Sequence, residues 1–313
     1  MDTIPSDANT TGRVLDRRLV FLLGKGGVGR STLAAALGLL AARAGRRAAV
    51  VEVSGRGDVP RLFGAAGRLG VEMELSEGLW TLDVDPRVAL EEYLRDQLPL
   101  RTLAEAVGSS TAFGYVAAAT PGLRELLTMG KVWELAQEQR RSPGARPYDV
   151  VIVDAPATGH GLALLAAPRT FADAAGRGPV ARQGATIAET LEDRARTAVL
   201  AVATAEPSAV DEALELRAAL DGRLGGVLVN ALGRERYSAD DRAALEQAFA
   251  RSDLDAAPRS ALAAALAEER AARRRRHELA RLDVATIELP EIGPQPLSRA
   301  GLELLADRLA TLA

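Results

Sequence analysis

At 313 residues the chain is long enough to bury one large core or two modest ones, and its formal net charge of -3 supplies no global basic field, which disfavours general nucleic-acid binding. Hydrophobic residues make up 48% and aromatics only 4%, so packing falls to Ala, Leu and Val, and base stacking is a poor binding mode. The absence of cysteine excludes disulfides, zinc-thiolate sites and thiol catalysis, and two histidines, His160 and His277, are too few for an all-histidine metal site.

In chain order, the opening MDTIPSDANTTG lacks a basic-then-apolar signal pattern, and residues 1–16 are expected to be disordered. No apolar run anywhere is long enough to span a bilayer, so the chain reads as cytoplasmic. The apolar run Leu19–Leu23 then hands over through GKGGVGRST to the helical pattern LAAALGLLAARAG. A glycine-rich turn between strand and helix is a phosphate-binding loop: the backbone approaches a polyanion closely, and the helix N-terminus adds its positive end. Gly24, Gly26, Gly27 and Gly29 supply the backbone freedom, with Val28 between them and Thr32 at the end. Arg30 supplies positive charge where the common motif has lysine, and Ser31 supplies a hydroxyl for magnesium.

Further short, Val-rich runs follow at Ala48–Val53, Leu79–Val84, Val150–Val153, Ala198–Ala203, Gly226–Val229 and Val284–Leu289. They are mostly non-alternating, as strands buried on both faces are, and helical stretches separate most of them. The pattern predicts an α/β fold with a doubly wound, mostly parallel sheet, forming a single domain over residues 17–313. From Pro86 to Pro147 the alternation stops and helical patterns take over, which predicts a helical insertion. Val150–Val153 ends in Asp154 and the turn APATGHG; beside a phosphate loop, an acid at that place holds magnesium, often through water.

Gly176–Gly184, rich in glycine and arginine, reads as a mobile loop or a simple connector. In Ala261–Leu282, helical spacing turns Leu262, Leu266, Leu279 and Leu282 inward and leaves the arginines, including Arg273–Arg276, solvated or paired with Glu268 and Glu269. The amphipathic tail SRAGLELLADRLATLA reads as a helix packed on the sheet.

Lys25, at the second position of the loop, makes it resemble the deviant Walker A loop of the ParA, MinD, nitrogenase-iron-protein and ArsA ATPases. DAPATGHG at 154–161 resembles the DTAPTGHT switch of the ArsA and tail-anchored-protein-targeting branch. PGLRELLTMGKVWEL at 121–135 is similar to that branch's PGIDEAMAFAEVLKL, and LWTLDVDPRVALEEY at 79–93 to its strand ending in Asp-Pro. The resemblance implies a P-loop ATPase that binds ATP and ADP with Mg2+, and a two-fold dimer, identical or with a paralogous ATPase, in which Lys25 crosses to the neighbour's nucleotide. It implies that Asn230, in GVLVNAL, reads adenine, that Glu288–Gly293 is a weaker candidate for a nucleotide-wrapping loop, and that the insertion binds a protein client.

Two departures touch catalysis. Arg30 presents a planar fork where the branch has a compact ammonium. Ser54 stands where the branch has an aspartate that orients the attacking water, and either Glu52 or Asp58 could take that part. Slow or partner-dependent hydrolysis is the expectation. Without cysteine, the zinc-held dimer of the eukaryotic targeting members and thiol binding of metalloid are both excluded. A client groove for membrane segments would need a broad apolar face, and Met129 and its neighbouring leucines read rather as core. Two other functions compete: a nucleotide-binding regulatory subunit that has lost turnover, and a ParA/MinD-type positioning ATPase acting on DNA or membrane.

Overall fold

A computed structural model describes residues 14–97, 120, 122–141, 144–251, 255–293 and 297–312. Its strands are β1 (Leu19–Leu23), β2 (Ala48–Glu52), β3 (Met73–Ser76), β4 (Leu79–Asp83), β5 (Val150–Asp154), β6 (Thr197–Ala203), β7 (Leu224–Leu232) and β8 (Thr286–Pro290). They form one sheet in the order β3-β4-β2-β5-β1-β6-β7-β8. Every pairing is parallel except that of β3 with β4. The fold is the expected doubly wound α/β sheet of a P-loop protein. Every position of β1, β2 and β5 is buried, because helices cover both faces, and this explains why their sequences do not alternate.

Seven of these strands coincide with the apolar runs, but β3 was not expected. Its sequence MELS is half polar and only partly buried, as suits an edge strand, and it folds back onto β4 through a turn at Gly78 with φ +74°.

The helices are α1 (Arg30–Arg43), α2 (Asp58–Leu62), α3 (Pro86–Gln97), α4 (Leu123–Leu135), α5 (Thr158–Ala175), α6 (Pro179–Glu192), α7 (Pro207–Leu220), α8 (Ala239–Ala250), α9 (Ala256–Leu279) and α10 (Arg299–Arg308). Small residues let α1 lie close to the sheet: a Cβ on Gly38 would stand 2.6 Å from Val50 Cγ2 and 2.8 Å from Leu79 Cδ1. The outer side of α1 is covered by α10, which buries Leu302, Leu305 and Ala306, so the tail packs as its amphipathic pattern predicts.

Within the insertion α3 and α4 are helical, whereas 136–141 and 144–147 are turns and irregular chain leading to β5; residues 98–119, 121 and 142–143 lie outside the described residues. It does not have a core of its own throughout. Met129, Val132 and Leu135 of α4 are fully buried in the main core, and α4 packs against α5 and β5.

Three local expectations need correction. Most of the segment expected to be disordered, residues 1–13, lies outside the described residues, but Val14–Asp16 form a 3-10 turn with Val14 and Leu15 buried. Gly176–Gly184 is a loop only as far as Gly178: Pro179 starts α6, a position where its missing N–H costs nothing. Gly184 lies inside that helix because α5 presses on it, a Cβ there standing 2.8 Å from the Pro168 carbonyl oxygen. In α9, Glu268 and Glu269 pair with Arg236 (3.2 Å) and Arg242 (3.4 Å), which lie outside the arginine run, whereas Arg276 pairs with Glu235 and Glu288. Leu266 and Leu282 are buried as expected, while Leu262 and Leu279 are only partly so.

Candidate nucleotide site

Parallel strands deliver their C-terminal ends to one edge of the sheet. There β1 stands between β5, β2 and β4 on one side and β6 and β7 on the other, the crevice where open α/β sheets bind ligands. The loop Gly24–Thr32 fills this crevice. Gly24 has φ +150°, and a Cβ on it would stand 2.2 Å from the Val202 carbonyl oxygen, so only glycine lets the loop leave β1 against β6. Gly29, at φ +90°, meets Asn230 in the same way, with Nδ2 2.2 Å from the would-be Cβ. Lys25, Gly26 and Gly27 are exposed at the tip, Val28 is buried, and Thr32 is half-buried in the first turn of α1. The N-terminus of α1 has no side-chain cap, which leaves its first N–H groups for an anion.

Three acids end three adjacent strands at one level: Glu52 is in register with both Asp83 and Asp154. Ser31 Oγ donates to Asp154 Oδ2 at 2.5 Å, while Asp154 Oδ1 is buried without a partner. Burial pushes the Asp154 carboxyl above its ordinary range, against the Ser31 hydrogen bond and the Arg30 charge. Glu52 is wholly buried; Oε1 accepts from the N–H groups of Asp58 (2.7 Å) and Val59 (3.1 Å), and Oε2 has no partner. Burial pushes Glu52 up to about 7, with Asp83 and Asp154 adding repulsion. Asp83 is raised by burial too, and accepts from Gly55 (3.0 Å) and Gly57 (3.2 Å).

The cations and the amide make contacts within the chain. Arg30 donates to the Ala155 carbonyl at 2.5 Å, and burial lowers its pKa. Lys25 Nζ donates to Ser208 Oγ at 2.7 Å. Asn230 Nδ2 donates to the Val28 carbonyl at 2.9 Å, bracing the loop from β7. Ser54 is exposed and accepts the Arg56 N–H, and the Asp58 carboxylate is taken by Arg61. In Glu288–Gly293, Glu288 pairs with Arg276, and the Glu291 N–H meets the Leu232 carbonyl. Thus the loop, Asp154, Glu52 and Asn230 converge, whereas Asp58 turns to Arg61.

Residues 17–177, which hold the loop, all three acid-ended strands and the turn 154–161, match the family model of anion-transporting ATPases. The chain belongs to that family. The ATPase is 32% identical over 235 residues to ATPase BagA of Mycobacterium tuberculosis, covering 72% of this chain and 68% of BagA. It is 26% identical over 180 residues to ATPase GET3 of Kluyveromyces lactis, covering 54% of this chain and 50% of GET3. With an ATPase ASNA1 homologue of Paramecium tetraurelia it shares 26% identity over 158 residues, 48% of this chain and 43% of the other.

Sequence reasoning overlooked three residues that the fold brings to the ATPase's candidate site. Asp83 closes an apolar run, LWTLD, just as Asp154 closes VVIVD, and that parallel was available in the sequence. Ser208 and Glu212 lie one turn apart on α7 and face the same way: Ser208 meets Lys25, and Glu212 accepts from Thr158 at the start of α5. Nothing local in PSAVDEAL announces them, because their partners lie about fifty and more than one hundred and eighty residues away. An apolar cavity of about 460 Å³ lies elsewhere, between α3, α4 and α6, lined by Leu90, Leu94, Leu123, Leu127 and Ile187. Among the described residues, no helix is long and apolar enough to cross a membrane.

Proposed function

We propose that this family member is a cytoplasmic, nucleotide-gated ATPase that closes with a second copy or a paralogous subunit around ATP, and passes that closure to a protein client through its helical insertion. The observation that carries the reading is Asp154, hydrogen-bonded to Ser31 through one oxygen and holding the other buried and unpartnered beside a glycine cradle. A buried carboxylate oxygen without a donor is costly and calls for an explanation, and a cation supplies one. The donor set suits magnesium, a hard ion that takes hydroxyl and carboxylate oxygens, so Ser31 and Asp154 would hold it directly or through water. Bound there, it would neutralise phosphate charge.

The chain's own groups do the rest. N–H groups of the loop and of the first turn of α1 receive the β- and γ-phosphates, and Asn230 keeps Val28 in place while its free amide atoms remain available to adenine. In hydrolysis the water oxygen bonds to the terminal phosphorus as the bond to the bridging oxygen breaks. ADP leaves with the bridging electron pair, and the water protons pass to orthophosphate and solvent. Neither candidate for positioning that water is a ready base: Glu52 is buried, with Oε1 on the loop amides, Oε2 unpartnered and its carboxyl pushed up to about 7, and Asp58 is paired with Arg61. Slow or partner-dependent turnover follows.

Coupling has a physical route. The turn 154–161 opens α5, α5 packs on α4, and α4 belongs to the insertion. Lys25 stays on Ser208 until closure and then crosses to the partner's nucleotide. The second reading, a regulatory subunit without turnover, draws on Arg30 pointing at Ala155 and on the exposed Ser54. Titration calorimetry with ADP and with a non-hydrolysable ATP, together with phosphate release for wild type, Lys25→Ala and Asp154→Asn, separates the two. Turnover that both variants abolish, with ADP binding retained, supports the ATPase. Binding with no phosphate release under any condition supports the regulator, and no heat with either nucleotide sinks both.

A further inference from the structure

The loop between β2 and α2 lacks the acid that would position water, yet its conformation is tightly specified. Asp83, at the end of the neighbouring strand β4, accepts the N–H groups of Gly55 and Gly57, the residues on either side of Arg56. Both glycines are in the left-handed region, at φ +70° and +60°, and the Arg56 N–H closes a small turn onto Ser54 Oγ at 3.2 Å. Two residues further on, Glu52 holds the amides of Asp58 and Val59. Two buried carboxylates therefore fix the backbone on both sides of a single exposed side chain.

That side chain is a guanidinium with no carboxylate on it among the described residues. The nearest acid in sequence, Asp58, is occupied by Arg61. Asp83 is in register with Glu52, and Glu52 with Asp154, so Arg56 stands at the same edge of the sheet as Arg30, and the two positive charges repel weakly. Arg30 is in the first turn of α1, at the end of the phosphate loop. Two like charges held near one cradle are unfavourable until an anion comes between them. A guanidinium presents a planar fork of donors that matches the oxygens of a phosphoryl group, and it stays charged at any pH of interest.

Resting on the nucleotide reading above, we infer that Arg56 is a catalytic residue that contacts the terminal phosphoryl oxygens of ATP from the loop after β2. It stabilises the charge that builds on them as the phosphoryl group moves to water, and it is an arginine supplied by the same chain. This assigns a function to a loop that otherwise has only lost one. It also gives Asp83 and Glu52, buried acids that cost stability, a part to play: they hold the backbone that aims Arg56.

The test compares ADP, ADP with aluminium fluoride as a mimic of the transferring phosphoryl group, and a β,γ-imido ATP. Each is titrated with Mg2+ into wild type, Arg56→Ala and Arg56→Lys by calorimetry. Arg56 is exposed, so both variants are expected to keep the wild-type melting temperature. The inference expects ADP affinity within about twofold of wild type in both variants, since ADP lacks the contacted group. It expects affinity for the aluminium fluoride complex to fall about tenfold or more in Arg56→Ala, with partial recovery in Arg56→Lys. Phosphate release should fall by about a hundredfold or more, toward the size known for arginines supplied to phosphoryl transfer. Equal affinity of Arg56→Ala and wild type for the aluminium fluoride complex would overturn the inference, as would a parallel loss for all three nucleotides. Failure of wild type to bind ADP would instead strike the nucleotide reading itself, and this assignment with it.

Discussion

Two clusters of buried charge sit at different places in this ATPase, and they are built on opposite plans. At the nucleotide edge, Glu52, Asp83 and Asp154 end neighbouring strands, two carboxylate oxygens have no donor, and burial raises all three acids. Where the insertion meets the sheet, Arg140 binds Glu72 at 2.6 Å and Glu134 at 2.8 Å, Lys131 binds Glu92 at 2.8 Å, and the Tyr148 hydroxyl donates to Glu72 at 2.6 Å. Burial pushes Glu72 and Glu134 up, yet the hydrogen bonds from Arg140, with Tyr148 and Lys131, outweigh it and hold both below their ordinary range. The second cluster is complete as it stands. The first leaves buried oxygens without donors, and the contrast singles it out as the candidate functional cluster.

The comparison is broken most severely by removing the hub of the completed cluster. Arg140 has a side chain only 1% exposed and shared by two carboxylates, so Arg140→Ala strands Glu72 and Glu134 in the protein interior. Loss of one partner from a buried ion pair costs about 3–5 kcal/mol, and a shift of the denaturation midpoint at constant slope would measure it. ADP affinity of the folded fraction should stay within about twofold of wild type. A destabilisation under about 1 kcal/mol would mean that this cluster is as dispensable as a surface ion pair.

At the nucleotide edge a substitution should have the opposite sign. Glu52 keeps its proton in the fold up to about pH 7, whereas in the unfolded chain it ionises near 4.5. Between those values the native state binds more protons than the unfolded state, so stability falls as pH rises from about 4.5 to 7. In Glu52→Gln the amide oxygen still accepts the Asp58 and Val59 N–H groups, and the charge is gone. Above pH 7 the variant should be more stable than wild type by up to about 3 kcal/mol, and near pH 4.5 the two should coincide. Thermal unfolding of nucleotide-free protein at pH 4.5, 6 and 8 reads this directly. A difference that does not grow with pH would contradict the raised carboxyl.

This contrast also separates what the sequence discloses from what it conceals. Residues whose partners are near in sequence, or whose pattern is set by burial, were legible: the glycine loop, the strand-ending Asp154, the Val-rich strands and the amphipathic α10. Spacing could not disclose where a side chain at the end of a loop turns. Asn230 meets Val28, and Lys25 meets Ser208, across about two hundred residues, and only the order of strands brings them together. The edge strand β3 escaped because half its residues are polar and none is fully buried, which removes the hydrophobic signal. The helical Gly184 was mistaken for a loop residue because close approach of two helices and a flexible turn call for the same amino acid.

The smallest effect concerns the contact through which the unfinished cluster rests. Lys25 Nζ bonds Ser208 Oγ at 2.7 Å, and both side chains are exposed, so the net contribution is about 0.5–1 kcal/mol. If Lys25 must leave Ser208 before it can cross to a neighbouring nucleotide, this energy opposes association. Ser208→Ala should then strengthen ATP-dependent association about two- to fivefold for each Lys25 that crosses, because about 1.4 kcal/mol corresponds to tenfold. Association without nucleotide, in which Lys25 has no phosphate to reach, should not change. Sedimentation across a concentration series, with and without a non-hydrolysable ATP, measures both quantities. An equal gain in the two conditions would show that Ser208 merely lines the contact surface, whereas a gain confined to the ATP series ties the resting place of Lys25 to the nucleotide.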